Sequence, residues 1–179
     1  MSDIRFSSFP RTEPAPEFVE ALVAVFRVHE ATINTRTNEK GLSSDQVLGV
    51  LRNDLEGLGF EVERGKKRGD KIERPVLFGE NGVPAVRYEI DAYHPGWRCG
   101  LEVEAGRGWM GNAIYRDLVL AMVMVDVDCF VVAVANTYKY RTGGRVTANP
   151  DYENAIALAD TLYSHTRVSL PYRLTVIGY

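Results

Sequence analysis

YEIDAYHPGWRCGLEVEA, residues 88–105, is the stretch that decides the fold. Side chains alternate through YEIDAY, so a strand over 86–93 puts Tyr88, Ile90 and Ala92 on one face and Glu89, Asp91 and Tyr93 on the other. HPGW (94–97) is turn chemistry. Alternation resumes in a strand over 99–105, with Leu101, Val103 and Ala105 on one face and Glu102 and Glu104 on the opposite one. Residues two apart on a strand stand about 6.5 Å apart, and the turn folds the strands together, which sets Asp91 beside the two glutamates. Carboxylates gathered this closely raise one another's pKa, and a cation removes that cost. Carboxylate oxygens, water and a substrate phosphate are an ordinary Mg²⁺ environment. A solvated polar face is the alternative, since Glu-x-Glu on a strand is common. Context favours a site: the strand directly precedes a crossover helix, so it belongs in the middle of a covered sheet, where acids need a cation or a basic partner.

Outward from this pair, Gly106 and Gly108 loosen the chain before a helix expected over 109–125. CFVVAVAN (129–136) is a continuous apolar run, the mark of a strand buried on both faces. Such a strand–helix–strand connection is parallel and right-handed, so the sheet is mixed. Towards the N-terminus, strands are expected at 60–64 and 75–78, with GENG (79–82) a turn. Ser43 and Gln46 form a capping-box pattern that opens a helix over 44–58, and Gly59 ends it. Phe18, Leu22, Val25, Phe26, His29 and Ile33 recur at helical spacing, which predicts a helix over 16–34. Residues 1–16 carry Pro10, Pro14 and Pro16 and are expected to be a flexible lead-in. Asn149 and Pro150 open a last helix to about residue 164, and 172–177 reads as a closing strand. The expectation is one α/β domain over 17–179, a central mixed sheet flanked by helices with an N-terminal helical extension.

The chain has 179 residues, 45% of them hydrophobic, enough for a full core. Its opening residues lack an apolar signal segment, and the longest apolar run, 118–125, falls far short of the ~20 residues that cross a bilayer. Cys99 and Cys129 stand in no metal-ligand spacing and are expected to be reduced thiols, which with the missing leader points to the cytoplasm. The net charge of −3 argues against a protein that merely coats nucleic acid. It is compatible with an acidic site whose charge Mg²⁺ offsets.

Helix, three antiparallel strands, helix and parallel strand is an order that resembles the PD-(D/E)XK phosphodiesterases, the restriction endonuclease-like superfamily, over residues 44–136. In that family an Asp on the second core strand and a (D/E)xK tripeptide on the third bind the metal. Asp91 matches the Asp, and Glu102-Val103-Glu104 matches the tripeptide with Glu in place of Lys, as in restriction endonucleases with an ExE motif. GLEVEAGRGWMGNAIYRDL (100–118) is similar to theirs as well, including Arg116-Asp117-Leu118 on the following helix. YEIDAYHP and GNAIYRD also resemble segments shared by a family of small bacterial proteins. Two departures stand out: Ile90 occupies the place of the usual proline, and the water-activating lysine is absent. The resemblance implies phosphodiester hydrolysis with Mg²⁺ or Mn²⁺ held by Asp91 and Glu102, and with Glu104 orienting or deprotonating water. Glu30 is the candidate for the acid that many family members carry on a helix, with Asp45 as the second choice; either also reads as an exposed helical acid.

Basic residues cluster in ERGKKRGDKIER (63–74) and in TYKYRTGGR (137–145), where tyrosines interleave with Lys139, Arg141 and Arg145. Cations contact phosphates and tyrosines stack on bases, so these residues are candidate nucleic-acid contacts, the second segment above all; solvated loops are the alternative for both. Arg107 and Arg116 are further phosphate candidates, or partners of nearby acids. His94 lies three residues past Asp91 and is either near the site or a turn residue. Two functions compete: a divalent-metal-dependent nuclease, and a non-catalytic interaction or regulatory module descended from the same fold. A small phosphorylated substrate is a third possibility. Homodimerisation is an expectation by analogy with restriction enzymes, and no membrane contact is expected.

Overall fold

The computed structural model describes residues 2–38, 41–106, 109 and 111–179. The expected lead-in is not all irregular. RFSSF forms β1 (Arg5–Phe9), an edge strand antiparallel to the last strand, in register Arg5↔Gly178 to Phe9↔Leu174. Its alternation carries Phe9 into the core, and the prolines that signalled disorder begin only at Pro10. The first long helix is shorter than expected. α1 (Phe18–Val28) buries Val19, Leu22, Val23, Val25 and Phe26, then breaks at His29, whose Nε2 pairs with Asp54 at 2.6 Å; α2 (Glu30–Ile33) is one further turn.

α3 (Ser44–Leu58) has the ends its sequence specifies. Ser43 Oγ accepts from the Gln46 amide, Gln46 Oε1 accepts from the Ser43 amide, and Gly59 caps the far end in the left-handed region. Then come β2 (Glu61–Val62), β3 (Ile72–Phe78), β4 (Pro84–Ile90), β5 (Ala92–His94), β6 (Cys99–Glu104), α4 (Ala113–Val123) and β7 (Cys129–Val134). A hairpin of β8 (Tyr138–Thr142) and β9 (Arg145–Asn149) stands where sequence showed only a basic loop. α5 (Asp151–Ser164) and β10 (Arg173–Gly178) complete the described chain.

Six strands form a mixed sheet in the order β1-β10-β7-β6-β5-β2. β6, β7 and β10 run parallel, and the strands outside them are antiparallel to their neighbours. The elements α3, β2, β5, β6, α4 and β7 follow the restriction endonuclease-like order, so the fold is the expected α/β class. α1 and α3 cover one face over Leu101, Val103 and Val131; α4 and α5 cover the other over Phe130, Val132 and Val134. Among the described residues no helix is long and apolar enough to cross a membrane.

The strand expected over 86–93 is in fact two. β4 pairs with β3 as a separate ribbon, β5 joins the main sheet, and Asp91 is the bend between them. The bend interrupts alternation: Ile90 and Tyr93 enter the same apolar cluster while Ala92 enters the other. At the opposite edge, a Cβ on Gly178 would lie 2.5 Å from Asn136 Oδ1 and 2.6 Å from the Tyr152 ring. Asn136 is held by bonds from Arg5 Nε and to the Asp3 carbonyl, so it has no free rotamer to retreat into. Gly178→Ala is therefore expected to cost about 1–3 kcal/mol. Gly49→Ala, in α3 with open space around its Cβ, is expected to gain roughly 0.5–1 kcal/mol. Urea denaturation of the two variants checks both signs.

Candidate functional site

β5 and β6 pair with Ala92 opposite Leu101, which brings Asp91 level with Glu102. Asp91 Oδ2 accepts from the Val103 amide at 2.9 Å, and its carboxyl is hydrogen-bonded to that of Glu102. One turn along the cluster, Glu104 meets Asp117 of α4, carboxyl to carboxyl. Arg116 closes the group: its Nε donates to Asp117 Oδ1 at 2.8 Å, and its Nη2 lies 3.5 Å from Glu104. The Asp117 side chain is 1% exposed and that of Glu104 13%.

Two carboxylates can hydrogen-bond each other only if one keeps a proton. Burial is the first cause of the shifts that follow. It pushes Asp91 up to about 6, helped by the charge of Glu63 and opposed by the Val103 amide. It lifts Glu102 well above the usual carboxylate range, with the charges of Asp91 and Asp117 adding to it. It carries Glu104 up to about 8, reinforced by the hydrogen bond and charge of Asp117 and opposed by Arg116. Asp117 Oδ2 is buried with no hydrogen-bond partner among the described residues.

The donor set suits a hard divalent cation: every group is a carboxyl, and the orphaned Asp117 oxygen asks for positive charge. The side chains are drawn into pairs rather than around a point. Among the described residues no three His, Cys, Asp or Glu side chains are grouped so as to hold a metal ion. A cation would therefore have to take the place of the shared protons.

Of the residues singled out by sequence, Asp91, Glu102 and Glu104 come together and Arg116 joins them as their ion-pair partner. Glu30 does not: it accepts from the Ser2 hydroxyl and the Asp3 amide, both at 2.6 Å, and ties down the N-terminus. Asp45 pairs instead with Lys66 at 3.7 Å. Lys139 spends its ammonium on the carbonyls of Arg36 and Asn38, whereas Arg141 and Arg145 stand exposed on the hairpin without an ion-pair partner among the described residues. Arg107 lies outside the described residues. The 63–74 segment is largely neutralised: Lys71 meets Glu63 and Glu89, Arg64 meets Glu56, and Arg74 meets Asp126 while lying over the Tyr93 ring. His94 ends β5 and braces the turn that follows, accepting from the Trp97 amide and donating to the Leu58 carbonyl while stacked on Trp97 at 3.7 Å.

Asp117 is the acid whose role sequence reading passed over. Its signal was available: Ile114, Asp117, Leu118 and Ala121 share one buried helical stripe, and an acid inside such a stripe must face something polar. Asp151 is a second buried acid, raised to about 6 by burial; it accepts from Asn149 at 2.5 Å.

No protein-family model matches the chain, and neither does any curated protein sequence. Among solved structures, the chain is similar to restriction endonuclease BGLII in its crystal complex with a DNA 16-mer. The identity is 9% and the TM-score 0.49, over 98% of this chain and 75% of that one.

The raised carboxyls fix the sign of the pH dependence. Between about pH 4 and pH 8 the unfolded chain has already released protons that Asp91 and Glu104 retain when folded, so stability falls as pH rises through that window. Scanning calorimetry without divalent ions is expected to show a higher Tm at pH 5.5 than at pH 8. Glu104→Gln removes the buried charge and keeps the shape, so it is expected to raise the Tm at pH 8 by roughly 2–8 °C and to flatten the slope.

Proposed function

We propose that this carboxyl cluster is the active site of a divalent-metal-dependent phosphodiesterase acting on nucleic acid. The observation that carries the reading is the convergence of Asp91 from the β4–β5 bend, Glu102 and Glu104 from β6 and Asp117 from α4 on one partly buried, proton-sharing cluster. Buried acids with strongly raised proton affinity, gathered at one place, are the mark of a functional site. The fold supports it, because this bend and this strand are where the PD-(D/E)XK resemblance puts the metal acids.

Asp91 and Glu102 would hold Mg²⁺ or Mn²⁺. Such a cation lowers the pKa of bound water and offsets charge on the phosphate. The chain's own part is orientation and proton handling. The Val103 amide fixes Asp91, and Arg116 fixes Asp117 and tempers Glu104. Glu104, near its midpoint at mildly alkaline pH, is suited to taking a proton from water or returning one. Arg116 is committed to this pairing, so phosphate contacts fall to Arg141 and Arg145.

Calorimetric titration of Mg²⁺ and Mn²⁺, joined to cleavage assays on single- and double-stranded oligonucleotides, tests the reading. Binding should release protons, and affinity should rise about tenfold per pH unit for each proton displaced between pH 6 and 8. Asp91→Asn with Glu102→Gln should abolish binding and lower cleavage by about 100-fold or more. Native protein that binds neither ion at pH 8, with or without oligonucleotide, would sink the proposal.

A second reading is favoured by one observation. Leu77, Phe78 and Val83 on the β3–β4 ribbon and Val119, Val123 and Val125 on and after α4 are all more than 40% exposed. The ribbon and the α4 end are joined by a bond from the Val125 amide to the Pro75 carbonyl. An apolar face of this kind suits a non-catalytic module that docks a second copy of the chain.

A further inference from the structure

A cavity of about 880 Å³ opens beyond the carboxyl ends of β6 and β7, between the β8–β9 hairpin and the start of α3. Ala105 and Gly106 form part of its wall, so it begins one residue past Glu104, in the crevice where α/β sheets bind ligands. Its size falls within the range of about 300–1,000 Å³ typical of ligand sites. The wall is mainly apolar, and its dominant feature is a pair of tyrosine rings: Tyr138 and Tyr140 lie 5.6 Å apart at 22°.

We propose that this cavity receives an unpaired nucleobase of a nucleic-acid strand, stacked on Tyr138 and Tyr140. Three features select that ligand. Neighbouring, nearly parallel aromatic rings bind flat π-faces whatever their sequence. The cavity edge offers hydrogen-bonding capacity left over from local structure: the Gln46 amide nitrogen, whose oxygen is taken by the Ser43 amide, and Asn38 Oδ1, whose nitrogen is taken by the Thr32 carbonyl. Arg141 lines the cavity and Arg145 follows on the same hairpin; neither has an ion-pair partner among the described residues, so an anionic backbone is the natural complement. A plain apolar ligand would use only the first feature, and a free phosphate only the third.

The proposal deepens the phosphodiesterase reading, on which it rests for placing the backbone at Glu104, by naming the substrate class: single-stranded or locally unpaired nucleic acid. A paired base cannot reach the tyrosines without leaving its stack.

The test uses the full chain in EDTA, so it does not depend on metal or cleavage. A single-stranded 12-mer carrying one 2-aminopurine is titrated with protein and its fluorescence followed. Quenching is expected on binding, with Kd weakened about 5- to 100-fold by Tyr138→Leu with Tyr140→Leu and retained by the two Tyr→Phe changes. Arg141→Gln with Arg145→Gln should weaken binding and reduce its salt dependence. With native protein alone, unlabelled single strand should displace the probe, and a blunt duplex or a strand abasic at that position should compete at least tenfold less well. Equal competition by duplex, equal affinity of the Leu variant, or absence of quenching would overturn the proposal. Binding of free 2-aminopurine nucleotide as tight as that of the strand would overturn it too, because the cavity would then be a mononucleotide site. Stacking that persists in a protein that never cleaves in Mg²⁺ supports the cavity assignment and counts against the phosphodiesterase alone.

Discussion

Glu104 and Asp117 face each other between the central strand β6 and helix α4, and like charges buried there repel unless positive charge balances them. The same constraint operates a few ångströms away between Asp91 and Glu102. Buried like charges in a low-dielectric setting cost several kcal/mol each in order of magnitude unless neutralised. Arg116 supplies one unit of charge for four carboxyls. The remainder has to come from protons or from a cation. α4 can pack on this face of the sheet only when that demand is met, because Asp117 sits inside its buried stripe beside Ile114 and Leu118.

The division of labour across the sheet follows from this placement. β6 presents Leu101, Val103 and Ala105 to α1 and α3 and turns its two glutamates towards α4. One face can therefore hold the fold while the other carries the polar cluster. The cavity between the hairpin and α3 begins where the strand ends and its alternation stops, at Ala105 and Gly106, so it is reached from the acids by crossing the end of a strand and not through the core. On the proposed reading, a polymer would pass over that edge and engage both features, whereas a small phosphorylated compound would reach only one.

Much of this was legible in the sequence, and what was not has identifiable causes. Capping residues and runs buried on both faces gave α3 and β7 nearly to the residue, because both signals are local. The Asp91–Glu102–Glu104 grouping followed from alternation plus a turn, again over a short range. The bend at Asp91 was hidden because the apolar–polar pattern of YEIDAY runs on through it in the sequence, although the side chains do not alternate there in the fold; only the pairing of β4 with β3 and of β5 with β6 separates the two strands. β1 was missed because an edge strand needs no strong pattern when β10 supplies its hydrogen bonds. The β8–β9 hairpin hid in a segment whose charges suggested a loop, although Thr142-Gly143-Gly144-Arg145 is a turn with both glycines at positive φ. Lys139 could not be told from a free cation, since its partners lie about a hundred residues away, whereas Arg116 pairs with the nearby acids that its neighbourhood offered, Asp117 beside it and Glu104 on β6.

On the proposed reading, Glu at position 104, where the pattern this chain resembles has lysine, would also change who performs the chemistry. In the family pattern a lysine stands there, bringing a positive charge and a titratable proton together. Here the two properties are separated. Charge comes from Arg116 on α4, whose guanidinium does not deprotonate in proteins and so can balance the cluster but not relay a proton. A titratable proton belongs to Glu104, which burial and Asp117 hold at about 8, close to where a lysine lowered by burial would titrate. A carboxyl poised there and a lysine poised there reach the same proton affinity from opposite directions, one raised and one depressed. The substitution can thus preserve proton handling at neutral pH while adding one more oxygen for a divalent cation, at the expense of a cluster that without the cation must keep its protons to stay folded tightly.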